Sequence, residues 1–163
     1  MTVFRFYGML WASMGKNPGA GSRAPMFTLK DQNGESVSLE LILSTGPAVL
    51  IFYPGDQTPG CTIQLCSIRD DWNDFQKAGI QVFGINPSDA GSHAAFAKKH
   101  EFPFPLLVDE GRKVARAYGA EQDLLIAKVI RRTVVGIGQD GKIVYYRQGL
   151  PRTNEILKAF KQA

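Results

Sequence analysis

The chain has 163 residues, 44% of them apolar and 21% charged, and a net charge of +4. That is the length of one domain able to bury its own core, and no apolar run reaches the roughly 18 residues that span a bilayer. Two cysteines exclude a disulfide scaffold, His93 and His100 lack zinc-ligand spacing, and Lys and Arg never exceed two in a row (Lys98-Lys99, Arg112-Lys113, Arg131-Arg132), which speaks against a nucleic-acid surface.

Residues 3–14 (VFRFYGMLWASM) are apolar with one cation, Arg5. They fit an amphipathic segment packed on the domain, a partner subunit or a membrane surface better than an export signal, because Gly8 interrupts the apolar core. Residues 15–24 read as a flexible linker. The chain thus divides into an extension and linker, 1–23, and one domain, 24–163.

Within the domain, Phe27 to Lys30 is predicted as a strand, with Asn33-Gly34 as a tight turn leading towards Val37. Ser38 to Leu43 fits a helical turn. Ala48 to Tyr53 is a continuous apolar run, as expected for a strand covered on both faces. One long helix is predicted from Pro59 to about Lys77, then a strand over Gln81–Ile85, a helix over Ala90–His100, a strand over Pro105–Asp109 and a helix over Arg112–Tyr118. Thr133–Ile137 and Lys142–Tyr146 form a hairpin around Asp140-Gly141, and Thr153–Lys161 closes the chain as a helix. The order implies an α/β fold with helices on both faces of a central mixed sheet, compatible with a thioredoxin-like fold. The histidines fall in the Lys- and Ala-rich helix and read as surface or hydrogen-bonded residues rather than ligands.

Both cysteines lie on the helix after the apolar strand. Thr58 suits the N-cap and Pro59 the first helical position, so Cys61 meets free backbone N–H groups and the positive end of the helix dipole, which favour a thiolate. Cys61, Leu65, Ile68, Trp72 and Phe75 are spaced as one apolar stripe, which places Cys61 at the head of the buried face. At ~100° per residue, Cys66 is turned about 140° away, on the side of Asp70, and is expected to be more exposed. The Cα atoms of two residues five apart on a helix are about 8 to 9 Å apart, beyond the roughly 7 Å that a disulfide tolerates. If the two cysteines pair, the first turns must unwind.

The stretch YPGDQTPGCTIQLC (53–66) resembles the active site of the peroxiredoxins, and most of all the subgroup called peroxiredoxin Q or bacterioferritin comigratory protein. Pro54, Thr58 and Cys61 match that family's Pro-x3-Thr/Ser-x2-Cys pattern, and Cys66 matches the subgroup's resolving cysteine. Ala24–Phe27, FPFPLLVDE (102–110), VARAYGA (114–120) and RRTVVGIGQDGKI (131–143) fit in order, so the resemblance covers residues 24–163. It implies a thioredoxin-like fold and a thiol peroxidase, without metal or other cofactor, in which Cys61 attacks the peroxide and becomes a sulfenic acid. Thr58 would hydrogen-bond the peroxide and thiolate, accepting from a capped amide while still donating, and Pro54 would shield the pocket from water. Strand alternation sends Arg131 and Arg132 to opposite faces. The family's spacing selects Arg132 as the arginine beside the thiolate, with Arg69 left to a surface ion pair.

The resemblance further implies that Cys66 closes a disulfide with Cys61 and that thioredoxin or a similar dithiol reduces it, in a cytoplasmic monomer or weak homodimer binding neither nucleic acid nor membrane. The apolar N-terminus leaves an exported or membrane-surface location open. Gly136 and Gly138 depart from the larger or acidic residues usual in the family's strand and are expected to loosen it. A peroxide sensor signalling to a protein partner is the alternative, separated from a peroxidase by turnover. The absence of Cys-x-x-Cys counts against a general dithiol oxidoreductase.

Overall fold

A computed structural model describes residues 18–163. The segment 3–14 and the start of the linker lie outside the described residues. From Gly19 the stretch expected as a flexible linker is tied down instead: Gly21 N donates to Ile143 O at 2.7 Å, Ile143 N to Ser22 O at 2.9 Å and Ala24 N to Gly141 O at 2.9 Å. The physical reason is that these residues add a short bridge, Arg23 with Lys142, to the edge of the last hairpin.

The elements in chain order are strands β1 (Thr28–Asp31) and β2 (Ser36–Ser38), helix α1 (Leu39–Thr45), β3 (Ala48–Phe52), helices α2 (Pro59–Asp70) and α3 (Trp72–Lys77), β4 (Gln81–Asn86), α4 (Ala90–His100) and β5 (Leu106–Val108). A 3₁₀ turn (Glu110–Arg112), α5 (Lys113–Ala117), β6 (Glu121–Leu124), β7 (Ala127–Ile130), β8 (Thr133–Ile137), β9 (Ile143–Gln148) and α6 (Thr153–Lys161) complete it. Seven strands form one sheet in the order β2-β1-β5-β4-β3-β8-β9. β3, β4 and β5 run parallel, while β8 and β1 join them antiparallel.

The apolar run of β3 is buried on both faces, as its sequence requires. Alternation splits it cleanly. Ala48, Leu50 and Phe52 join one core with Leu39, Ile42 and Leu43 of α1 and Val114 and Ala115 of α5. Val49, Ile51 and Tyr53 join the other with Cys61, Leu65 and Ile68 of α2, Phe75 of α3, Phe96 of α4 and Ile156 of α6. Each such fully buried aliphatic side chain contributes about 1.5–3 kcal/mol, so the cysteine helix rests on one well-packed layer.

Two elements differ from the sequence reading. The long helix breaks at Asp71 (φ −94°, ψ 13°). Asp70 and Asp71 stand at the negative end of α2's dipole, where carboxylates are unfavourable, whereas Asp71 and Asp74 suit the start of α3. The apolar stripe continues across the break, with Phe75 buried and Trp72 packed on the same core. The second difference is the β6–β7 ribbon, pairing Glu121 with Ile130 through Leu124 with Ala127. Its two-residue tip, Leu125-Ile126, is fully exposed and carries none of the Gly, Asn or Asp signals of a tight turn.

At Gly136 the pairing of β8 with β9 shifts register, between Gly136 and Ile137, while its pairing with β3 stays regular. A Cβ there would lie 3.0 Å from the Phe160 ring and 3.1 Å from Cβ of Tyr145. The missing side chain is the space into which α6 inserts Phe160, and β8 keeps its register with β3 from Thr133 to Ile137.

Candidate active site

The site forms where β3 ends and α2 begins. Tyr53 is buried, Pro54 is exposed at the rim, and the loop through Gln57 delivers the chain to Thr58. Gln57 lies in the left-handed region (φ 61°), a conformation costing a non-glycine residue about 1–3 kcal/mol and typical of functional loops. Thr58 is the N-cap by backbone conformation, and its carbonyl accepts from Thr62 N at 2.9 Å. Its side chain makes no cap bond; the hydroxyl instead donates to Gly55 O at 3.1 Å. The expectation that this hydroxyl accepts from a capped amide is therefore corrected: its proton is used within the loop, and its lone pairs are what it offers outward.

Cys61 is fully buried at the head of the apolar face, and Cys66 is half-buried; both thiols are free on the intact helix. Free thiols on unbroken α2 agree with the distance argument against a bridge in this conformation.

Arg131 is exposed, whereas Arg132 turns inwards. The Arg132 guanidinium lies over Gly60, the residue before Cys61, where a Cβ would come within 2.6 Å of Nη2. Nη1 donates to Oε1 of Gln64 at 3.0 Å. Gln64 is buried one turn below Cys61, so α2 itself fixes the arginine. Among the described residues Arg132 has no carboxylate partner. The ribbon aims it: Ile130 ends β7, and Arg131 N is held by Ala120 O at 2.7 Å. Arg69 pairs with Asp70 at 3.0 Å and donates to His100 O at 2.7 Å.

The loop also carries a buried carboxylate that the sequence did not single out. Asp56 Oδ1 accepts from Tyr53 Oη at 2.7 Å and Asn86 Nδ2 at 3.2 Å. Oδ2 accepts from Ser92 Oγ at 2.7 Å and contacts His93 Nδ1 at 2.7 Å, while His93 Nε2 meets Leu107 O at 2.9 Å. Both ring nitrogens of His93 are engaged, Nδ1 with the Asp56 carboxylate and Nε2 with the Leu107 carbonyl, so the ring is held at both ends. Burial alone would push Asp56 up, but hydrogen bonds from His93, Tyr53 and Ser92 and the charge of His93 outweigh it and hold the carboxyl below the usual range. Burial first, then Asp56, push Tyr53 far above the usual phenol range, which keeps it a permanent donor. His93 is thus hydrogen-bonded in the interior, one of the two roles its sequence context suggested.

Sequence reasoning missed Gln64 and Asp56. The signal for Gln64 was its place three residues after Cys61, on the same side of the helix. Asp56 had none, because its partners are at least 30 residues away apart from Tyr53.

The model of the AhpC/TSA family matches residues 20–146. The chain belongs to the AhpC/TSA family. Within it the chain is similar to Peroxiredoxin Q, chloroplastic, of Arabidopsis thaliana, 44% identical over 160 residues, 96% of this chain and 71% of the relative. Its likeness to the Triticum aestivum protein of the same name is 49% over 125 residues, 77% of this chain and 57% of the relative. Among solved structures, Peroxidoxin BcpB of Mycobacterium tuberculosis superposes with a TM-score of 0.83 at 30% identity, covering 90% of this chain and 98% of that one. A Xanthomonas campestris Peroxiredoxin Q does so at 0.75 and 26%, covering 83% and 90%. The thioredoxin-like peroxiredoxin fold read from the sequence is borne out, and this AhpC/TSA family member is a peroxidase enzyme of the thiol-dependent kind.

Proposed function

We propose that the chain reduces hydrogen peroxide and small organic hydroperoxides through a Cys61 sulfenic acid, resolves it with Cys66, and is recycled by thioredoxin or a similar dithiol. The observation that carries this reading is the Arg132 guanidinium over Gly60, held by Gln64 and without a carboxylate partner among the described residues, next in the chain to the buried Cys61 at the positive end of α2. Arg132 and the free amides of the first turn favour the thiolate and the oxygen leaving it. The thiolate attacks one peroxide oxygen, the O–O bond breaks, and the other oxygen takes a proton and leaves as water or alcohol. Thr58 Oγ accepts from the peroxide O–H, and Pro54 covers the rim. The first turns of α2 then unwind, and the Cys66 thiolate attacks the Cys61 sulfur. The S–S bond forms as hydroxide leaves and is protonated to water. Two electrons from a dithiol restore both thiols. Ile63, 69% exposed on the same helix, offers the reductant an apolar contact beside Cys66.

Residues 24–163 form the catalytic domain, and 1–23 are an extension to it. The cycle needs a compartment that supplies a reduced dithiol. The cytoplasm meets that condition, as does the plastid named for the plant relatives. Among the described residues no helix is long and apolar enough to cross a membrane. The working unit is a monomer or weak homodimer, checked by native mass measurement.

The test is peroxide consumption coupled to thioredoxin and its reductase. Cys61→Ser abolishes it; full activity in that variant refutes the reading. Cys66→Ser keeps one oxidation per chain but loses thioredoxin-coupled turnover, and sustained turnover would remove the single-helix resolving step.

A further inference from the structure

We propose that the buried Asp56–His93 pair is a latch that holds the Cys61 loop in its peroxide-reactive fold and sets how readily α2 unwinds towards Cys66; the inference rests on the two-cysteine cycle above. The loop from Pro54 to Thr58 is the chain connection between strand β3 and the helix that must unwind. Asp56 pins it to three framework elements: Tyr53 at the end of β3, Asn86 at the end of β4, and Ser92 and His93 on α4. His93 is itself pinned to β5 through Leu107 O. The Asp56 side chain is 2% exposed and that of His93 is fully buried, so water does not compensate for a broken contact.

Beyond this anchor the helix start holds itself weakly. Gln57 is in the left-handed region, and Thr58 adds no side-chain cap. The first turn of α2 is therefore held from its two sides, by Asp56 upstream and by the Arg132–Gln64 bond below Cys61. Only the second of these belongs to the peroxide pocket. Asp56 and His93 act as positioning residues, and loosening them moves the two chemical steps in opposite directions: sulfenic acid forms more slowly and the disulfide closes faster. A third reaction reads the balance, because a second peroxide converts a sulfenic acid still held in the folded pocket to sulfinic acid.

Three variants grade the perturbation. Ser92→Ala removes one donor to Oδ2. His93→Gln removes the imidazole and at least one of its two ring contacts. Asp56→Asn turns one carboxylate oxygen into an NH2 group that faces existing donors. Each is oxidised with stoichiometric and excess peroxide, quenched, and read by intact mass as sulfenic acid trapped with dimedone, disulfide and sulfinic acid. The ratio of disulfide to sulfinic acid rises about threefold in Ser92→Ala and about tenfold or more in His93→Gln, the scale of one lost hydrogen bond to a charged group. Sulfenic acid formation slows in the same order. Ile42→Val, on the opposite face of the sheet, lowers thermal stability and leaves the ratio at the wild-type value.

A ratio that stays at wild type in Ser92→Ala and His93→Gln, or that shifts equally in Ile42→Val, overturns the latch. Wild-type turnover without any Cys61–Cys66 bridge would overturn the two-cysteine cycle and the latch with it. A bridge that forms at rates indifferent to the variants overturns the latch alone.

Discussion

Gly60→Ala separates activity from stability with one methyl group. The backbone permits it, since Gly60 has no positive φ, but the new Cβ would lie 2.6 Å from Nη2 and 3.4 Å from Cζ of Arg132. To reach an ordinary contact the guanidinium must retreat by roughly 0.8 Å, because 2.6 Å is shorter than real Cβ contacts allow. The obstacle is the far end of a flexible side chain, so folding loses little, and the reduced freedom of the unfolded chain returns about 0.4–1 kcal/mol. Catalysis has no such slack. Nη1 is tied to Gln64 at 3.0 Å, so the retreat either breaks that bond or tilts the charge away from Cys61. A displacement approaching 1 Å costs up to about a hundredfold in rate. The expected result is a 10- to 100-fold fall in the second-order rate of Cys61 oxidation, about 1.4–2.7 kcal/mol, with an unfolding temperature equal to or above wild type. The rate is read from single-turnover oxidation with limiting peroxide, and stability from calorimetry. A variant oxidised within twofold of wild type would refute the role given to Arg132 in activating Cys61. A variant slowed only in proportion to its own unfolding would refute the reasoning from position.

Arg132→Ala should slow sulfenic acid formation by about 10²- to 10³-fold, the usual cost of one preorganised charge donor, while Arg131→Ala, outward and exposed, stays close to wild type in the same assay. The reverse order would place the essential charge on the other strand face. The depressed carboxyl of Asp56 predicts an acid limb: its contribution to stability is complete above the ordinary value of 3.8 and fades as pH falls below it through the folded value. Chemical denaturation between pH 5 and 2.5 should show that slope in wild type and a shallower one in Asp56→Asn; identical slopes would show that Asp56 is not the group. Gly136→Ala should cost about 1–3 kcal/mol by overpacking against Phe160 and Tyr145, lowering the unfolding temperature by several degrees. The added change Phe160→Leu should recover most of it, and peroxide oxidation of Cys61 should be unaffected by either.

Where a signal was local, the sequence was a sufficient guide. β3 announces itself as an unbroken apolar run, and counting round α2 separates buried Cys61 from half-buried Cys66. Of the unread parts, the contacts of Asp56 lie far along the chain, and the others are local departures from a residue's usual preference. Asp56 looks like any loop carboxylate until Asn86, Ser92 and His93 close around it. The β6–β7 ribbon turns at Leu125-Ile126 without a glycine, and nothing in that dipeptide suggests that it aims Arg132. Thr58 has the residue type of a capping side chain, yet Gly55 O captures its proton. The interruption of the long helix at Asp71 hides within a stripe whose period runs on through it.

The division of the core by the central strand has a consequence for how oxidation is felt through the molecule. In the proposed cycle both cysteines lie on α2, which packs on the layer that contains Val49, Ile51 and Tyr53, whereas α1 and α5 pack on the opposite layer. Unwinding α2 strips packing from one side of the sheet only. The far side is a rigid back plate, and its amides in α1 and around Val114 to Tyr118 should exchange with deuterium at the same rate in both redox states, while those of residues 57–66 lose protection. On the proposed cycle oxidation is a one-sided event, and a label or partner attached to the back plate should not sense it.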